Sequence, residues 1–426
     1  MKLYPHQEKA LKLAEGRNRV AFFHDMGSGK TFTGSEKLVQ LGEKRNLVVC
    51  QKSKVQDWCE HFTDNYHPTE VLSYDLTKPK QLEQFLSLRE DVPFMAVGII
   101  NYDLMWRRPQ LYNLHDFTLM LDESSLIQNE ESNRSDFILG MDPKNVILLS
   151  GTPTGGKYEN LWSQMHLLGW GISKELYLKQ YVEVEYLDTI GKRSVPIVTG
   201  YKNVDRLKRK MAQYGCQFLK TEEVIDLPEQ NFQKISVPSS IEYRKFHKDK
   251  VIDIDGKTLV GDTSLTKLLY ERQLCGMYSK DKLTAFKDLL ESTNDRLIVF
   301  YNFTEELNKM LTICMDLKKP CSIVNGSTKQ LMSYENCEDS VTFVQYQAGA
   351  YGLNLQKACR MIFFTLPLSS EQYEQAIKRI HRIGQNKPCF YYQLVCKGTV
   401  EERVLYTLAM RKDYTDELFR KDDTNE

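Results

Sequence analysis

Apolar and polar positions alternate in blocks along the first part of the chain. RVAFF (19–23), LVVC (47–50), FMAVGII (94–100), FTLMLD (117–122) and NVILLS (145–150) are short apolar runs, each bounded by polar or turn residues. Such runs predict strands buried on both faces. Between them the spacing is helical, as in KTFTGSEKLVQLGEK (30–44). Strands alternating with helices predict a parallel sheet covered on both sides. The same pattern returns later, with strands expected at RLIVFY (296–301), SIVNG (322–326), SVTFVQ (340–345), RMIFFT (360–365) and CFYYQLVC (389–396). Helices are expected at 303–317 and 370–384.

The blocks therefore predict an α/β chain with two doubly wound domains, residues 1–170 and 281–410. The stretch 171–280 differs, with a turn at 190–193, a basic run KNVDRLKRK (202–210) and helix-prone segments, and is expected to be a short helical insertion and linker. Residues 411–426 are expected to form a tail.

Composition narrows the classes. Lys+Arg and Asp+Glu are both 57, so the formal charge is zero and a binder that coats nucleic acid by bulk charge is excluded. A local basic cleft remains open, because steering depends on where charges sit. The most apolar stretch, VPFMAVGII (92–100), is too short to span a bilayer, and the N-terminal stretch lacks the apolar core of a signal peptide. The expected location is cytoplasmic. The ten cysteines are scattered without a CxxC pair and the eight histidines do not cluster, so reduced thiols and no structural zinc are expected.

The strongest chemical signal is HDMGSGKT (24–31), placed between a predicted strand and a predicted helix. Gly27 and Gly29 let backbone N–H groups turn toward a phosphate. Lys30 can reach β/γ-phosphates, the Thr31 hydroxyl can bind Mg²⁺, and the helix aims its positive end at the anion. The strict pattern asks for Gly six residues before the Lys, where His24 stands. LMLDES (119–124) supplies the acidic partner: Asp122 at a strand's C-terminal end can hold Mg²⁺ through water, and Glu123 can activate the attacking water. A nucleotide triphosphatase is the expectation; the absence of an NKxD motif disfavours a GTPase. In QAIKRIHRIGQ (375–385), Arg379 and Arg382 lie three apart on the predicted helix and so share one face, from which they could stabilise charge during phosphoryl transfer.

These segments, in order, resemble the SWI/SNF-like ATPases, a family of superfamily-two helicase-type motors. PHQ (5–7) resembles the nucleotide-base motif, DMGSGKT motif I, VVCQKSKVQDWCEHF (48–62) motif Ia with its Trp, and GIINYDLM (98–105) the "TTY" segment. LDESSLIQN (121–129) resembles motif II, LLSGTPTGGKYENLWSQMHLL (148–168) motif III, and GCQFLKTEEVIDLPEQ (215–230) the segment joining the lobes. LIVFYNF (297–303), QAGAYGLNLQKA (347–358) and QAIKRIHRIGQ resemble motifs IV, V and VI. The resemblance is closest to compact bacterial or bacteriophage members.

The resemblance implies two tandem RecA-like lobes with ATP and Mg²⁺ between them. Gln7, Met26, Gly27, Ser28, Gly29, Lys30, Thr31, Asp122 and Glu123 would come from the first lobe, with Thr31 and Asp122 as the metal ligands. Gly352, Gln375, Arg379 and Arg382 would come from the second. Ser150 and Thr152 would couple hydrolysis to nucleic-acid contact. The implied track is double-stranded DNA, met by Lys52, Ser53, Tyr102 and Asn354 on loops after strands. Three departures stand out: Ser124–Ser125 where Ala-His is frequent, Gln128 where Lys is frequent, and Gln347 where Arg is frequent. The last two remove positive charge near the expected DNA path. A strand-separating DNA or RNA helicase remains an alternative reading, as does an ATP-gated nucleic-acid-binding recruitment protein with slow hydrolysis.

Overall fold

The computed structural model describes residues 3–89, 91–187, 195–224, 226–347 and 353–419. The described residues up to Val224, with 413–419, form one compact unit, and the described residues from 226 to 412 form a second.

The first unit carries strands β1 (Arg19–His24), β2 (Arg45–Cys50), β3 (Val71–Asp75), β4 (Met95–Asn101), β5 (Phe117–Asp122) and β6 (Asn145–Leu149). A hairpin of β7 (Val182–Leu187) and β8 (Val195–Tyr201) comes next in the chain, and then β9 (Cys216–Leu219). The sheet order is β3-β4-β2-β5-β6-β1-β9, and every pair is parallel. The period of two divides each strand between two cores. Ala21, Phe23, Leu47, Val49, Leu119 and Leu121 pack on one face, and Val20, Phe22, Val48, Cys50 and Met120 on the other. That is why these runs are apolar throughout.

Five helices of this unit frame its site: α1 (Pro5–Leu13), α2 (Lys30–Leu41), α3 (Val55–Asn65), α4 (Pro79–Leu86) and α5 (Tyr102–Met105). In α3, Val55, Trp58, His61 and Phe62 are buried, at the three-and-four spacing of one helix face. Helix α2 lies close on the sheet because of Gly34: a β-carbon there would stand 2.8 Å from a Leu149 methyl and 3.1 Å from the Met120 sulfur.

The second unit carries β10 (Gln230–Val237), the hairpin β11 (Val251–Ile254) and β12 (Lys257–Val260), then β13 (Leu297–Tyr301) and β14 (Cys321–Val324). It is completed by β15 (Lys329–Gln330), β16 (Val341–Gln345), β17 (Arg360–Phe363) and β18 (Cys389–Cys396). The order is β10-β18-β17-β13-β16-β14-β15, parallel except for β14 with β15. Again two cores alternate: Ile298, Phe300, Met361 and Phe363 on one side, Leu297, Val299, Tyr301 and Ile362 on the other. Each unit is thus a doubly wound RecA-like lobe.

The stretch 171–280 is divided between the units. It supplies β9 to the edge of the first sheet and β10 to the edge of the second, as well as helices. The basic run forms a helix, Val204–Gln213, that buries Leu207 and Met211 and leaves Arg206 and Arg209 exposed.

Candidate nucleotide site

In the first sheet β5, β6 and β1 are neighbours and parallel, so the segments after them emerge on one edge. Those segments are Asp122–Glu123, Ser150–Thr152 and the loop 24–31. Ligands bind at this carboxyl edge in open α/β sheets.

The loop is shaped by Gly27 at φ 85° and Gly29 at φ 78°, left-handed values that favour glycine. A side chain at Gly29 would collide with the Gln7 amide. Gln7 instead fastens α1 to the loop, donating to the Gly29 carbonyl at 3.0 Å while its own carbonyl accepts from Tyr4 N at 2.8 Å. His6 adds a second tie, its Nε2 donating to the Ser28 carbonyl at 2.8 Å. Inside the loop the Asp25 carbonyl accepts from Ser28 Oγ at 2.7 Å and from Lys30 Nζ at 3.2 Å, and Asp25 Oδ1 accepts from Met26 N at 2.8 Å. Thr221 Oγ1 donates to the Met26 carbonyl at 2.9 Å. Thr31 is half-buried in the first turn of α2. His24 is buried, and its pKa is pushed down to about 3 by burial, then by the charges of Lys30 and His6.

Burial pushes the Asp122 carboxyl up; the Trp58 hydrogen bond, Lys30 and Lys54 oppose that rise. Trp58 Nε1 donates to Asp122 Oδ2 at 2.9 Å. Glu123 has φ 55° and ψ 60°, a left-handed conformation uncommon for a side-chain-bearing residue, and the chain turns there into the short helix Ser124–Ile127. Ser150 Oγ lies 3.4 Å from Glu123 Oε2 and accepts from Thr152 N at 3.1 Å. Buried Gln164 ties the two motifs together: its Oε1 accepts from Ser124 Oγ at 2.7 Å, and its Nε2 donates to the Pro153 carbonyl at 2.7 Å.

The residues fit a magnesium nucleotide. A left-handed glycine loop, an ammonium, a hydroxyl and two carboxylates stand on one sheet edge, and the buried Thr152 Oγ1 has no hydrogen-bond partner among the described residues. A different cluster, Cys275, Cys396 and Glu401 in the second unit, gathers possible ligand atoms within 4.8 Å. Its carboxylate is already committed, to Lys282 Nζ at 2.5 Å and Cys396 N at 2.8 Å.

Two expectations are corrected. Tyr102 was expected to meet nucleic acid from a loop, but it is 2 % exposed and its hydroxyl donates to the Asp122 carbonyl at 2.9 Å. The ring belongs to the core on one face of the sheet, and the hydroxyl reaches motif II. Of its expected companions, Lys52 is exposed and Ser53 half-buried on the turn Lys52–Lys54.

The second correction concerns the arginines. The helix expected over 370–384 ends at Ile377, so Arg379 and Arg382 do not share a helix face. They lie on a turn with Gly384 at φ 94°. Gln385 builds that turn: its amide donates to the carbonyls of Gln356, Ala358 and Ile380, and its carbonyl accepts from Asn386 N and Lys387 N. His381 is buried, with Nε2 donating to the Pro228 carbonyl at 2.8 Å and Nδ1 facing Gln230 Nε2 at 3.0 Å. Arg382 reaches the Leu353 carbonyl at 3.4 Å, and burial lowers its pKa. Gln375 donates to Glu371 at 3.3 Å, Asn354 is exposed, and Gly352 falls outside the described residues.

The family model described as SNF2-related domain matches residues 6–321, and that described as helicase conserved C-terminal domain matches residues 281–384. The chain belongs to the SNF2-related family. One relative of this SNF2-related chain is the mouse SWI/SNF-related matrix-associated actin-dependent regulator of chromatin subfamily A member 1, 24% identical over 424 residues, covering 89% of this chain and 40% of the relative. Another is the chicken DNA repair and recombination protein RAD54B, 23% identical, covering 96% of this chain and 54% of the relative. The chain thus spans about half or less of those proteins. A solved structure, the Sulfolobus solfataricus SWI2/SNF2 ATPase core in complex with dsDNA, matches with a TM-score of 0.45 and 19% identity over 98% of this chain and 92% of that chain. Among the described residues of the SNF2-related chain, no helix is long and apolar enough to cross a membrane.

Side chains that sequence reading did not assign hold much of the first unit's edge, namely His6, Trp58 and Gln164, and, separately, of the second unit's turn, namely His381 and Gln385. Trp58 stood inside a recognised motif, but its partner lies 64 residues away. Of the SNF2-related departures, Ser124 gains Gln164, and Gln128 accepts from Asn160 Nδ2 at 2.7 Å.

Proposed function

We propose that this SNF2-related chain is an ATP-dependent DNA motor that moves on duplex DNA. The observation that carries the reading is the convergence of Lys30, Asp122–Glu123 and Ser150–Thr152 on the edge of β1, β6 and β5. The relatives' names, which speak of chromatin and of DNA repair, favour DNA over RNA as the track.

In this reading the backbone around Met26, Gly27, Ser28 and Gly29 cradles the phosphates, and Lys30 pairs with their charge. Thr31 and Asp122 would hold Mg²⁺, which when bound neutralises charge on the transferring phosphate. Glu123 orients the attacking water, and Ser150 fixes the Glu123 carboxylate. Gln7 recognises the base from α1. Arg379 and Arg382 of the second unit would stabilise charge in the transition state, with Gly352 and Gln375 beside them. Lys52, Ser53 and Asn354 would meet the phosphate backbone, giving salt-dependent binding with little sequence preference.

One assay set tests the reading: ATP turnover with single-stranded DNA, duplex DNA and RNA, alongside triplex displacement and duplex unwinding. Duplex-stimulated turnover with triplex displacement and no unwinding is the expected result. Unwinding would make the chain a strand-separating helicase. Tight duplex binding with turnover indifferent to DNA would make it an ATP-gated recruitment protein.

A further inference from the structure

Strand β2 runs through the turn Lys52–Lys54 into α3, and β4 runs through Asn101 into α5. Both helices begin at one groove of about 510 Å³, lined by Lys52, Gln56, Thr77, Asn101 and Arg107 among others. Two carboxylates also line it: Asp75 is nearly buried and engaged, and Asp103 is largely exposed beside Arg134. Asp75 accepts from Thr77 N at 3.0 Å and pairs with Lys78 at 3.1 Å; Asp103 pairs with Arg134 at 3.6 Å. Lys52 and Arg107 are exposed at the groove, the Arg107 guanidinium lying 4.9 Å over the Trp106 ring.

Behind the groove the same two helices each send one buried aromatic to Asp122. Trp58, on α3, donates its indole N–H to Oδ2 at 2.9 Å. Tyr102, the first residue of α5, donates its hydroxyl to the Asp122 carbonyl at 2.9 Å and approaches the Glu123 carbonyl at 3.4 Å. Each is 2 % exposed. Lys52 and Trp58 thus stand on opposite ends of one short rigid path: the charge in the groove, the donor on the carboxylate.

We infer that Trp58 and Tyr102 are positioning residues that carry nucleic-acid contact at this groove to the Asp122 carboxylate, and so set the degree to which DNA stimulates ATP turnover. The inference rests on the motor reading. A polyanion in the groove draws Lys52 and Arg107 toward it. The first turn of α3 comes directly after the Lys52 turn, and Trp58 lies one turn further along. A shift of the indole changes where Oδ2 points, and groups that hold a metal-binding side chain tune it almost as strongly as the side chain itself. The groove then biases Asp122 between two orientations, which is coupling between distinct sites.

The test uses the full chain with ¹⁵N-labelled indoles and no nucleotide. Four tryptophans give four indole signals, and the one missing from Trp58→Phe is assigned to Trp58. Phenylalanine keeps an aromatic ring against Phe62, which Trp58 stacks on at 5.9 Å, and removes only the donor and part of the bulk. A blunt duplex oligonucleotide should move the Trp58 signal, and the Lys52→Ala/Arg107→Ala double variant should abolish that movement. In steady-state turnover, Trp58→Phe should reduce the ratio of duplex-stimulated to DNA-free rates about tenfold, with the KM for ATP changing less than about threefold; Tyr102→Phe should reduce the ratio about threefold. An unmoved Trp58 signal at saturating duplex overturns the inference. So does an unchanged ratio in Trp58→Phe, or an equal fall in both rates, which is what a merely structural role predicts. A wild-type chain that neither binds duplex nor responds to it would defeat the motor reading itself, in the wild-type arm, and the inference with it.

Discussion

The acidic edge of the first unit and the arginine turn of the second hold charged groups in different ways. At the acidic edge the strands do the placing. Registered parallel neighbours β5, β6 and β1 bring three loops to one side, and Trp58, Tyr102, Ser150 and Gln164 then fix them. The arginine turn is itself neither strand nor helix. One side chain, Gln385, gathers five backbone groups and so stands in for regular structure. A site built on a sheet edge should lose less stability when one polar support is removed than a turn built on one buried amide.

The largest expected effect sharpens the chemical half of this contrast. Lys30→Ala and Glu123→Gln should each lower turnover on the order of 10⁴-fold, with the fold intact by circular dichroism. Unchanged turnover in both would sink the assignment of the acidic edge. Next, Arg382→Ala should lower kcat about a thousandfold while the Kd for ATP barely moves, as the proposed transition-state role requires. A collapse of ATP affinity instead would make it a ground-state ligand.

The structural half is tested by Gln385→Leu. It strands buried carbonyls and amides, at about 1–3 kcal/mol for each group left without water or a partner. Denaturant unfolding of the second unit should shift clearly, whereas Gln164→Leu, at the better-supported acidic edge, should shift the first unit less. Equal shifts would erase the distinction between sheet edge and turn.

The smallest expected effect is a pH dependence. His61 is held neutral, its pKa lowered to about 4 by burial, with its Nε2 2.8 Å from Ser35 Oγ. The folded form therefore refuses a proton that the unfolded form takes up below about pH 6.5. Stability of the first unit should be unaffected by this group above that pH and should fall as pH drops toward 4. In His61→Gln that part of the slope should vanish; an identical melting-temperature profile between pH 6.5 and 4 would refute the role.

The sequence made the sheets legible because both faces of each strand are buried, so the apolar runs are continuous and hard to mistake. The phosphate loop and Asp122–Glu123 were legible because their spacing is local. The arginine helix was misread for the opposite reason. KRIHRIG has helical spacing, but the buried bonds of His381 and Gln385 reach residues far away in sequence and override the local preference. Tyr102 was misread because a tyrosine after a strand looks the same whether its hydroxyl meets a phosphate or a carbonyl. Trp58 and Gln164 act through partners that no local pattern names.

Glu123 sits in a backbone conformation that its side chain does not favour. Its left-handed conformation costs a side-chain-bearing residue roughly 1 kcal/mol or more, and asparagine or glycine would occupy it more easily. Glu123→Asn should therefore yield a protein that melts no lower than the parent yet turns over no ATP. A screen for thermostability alone would favour replacing the residue proposed to orient the attacking water.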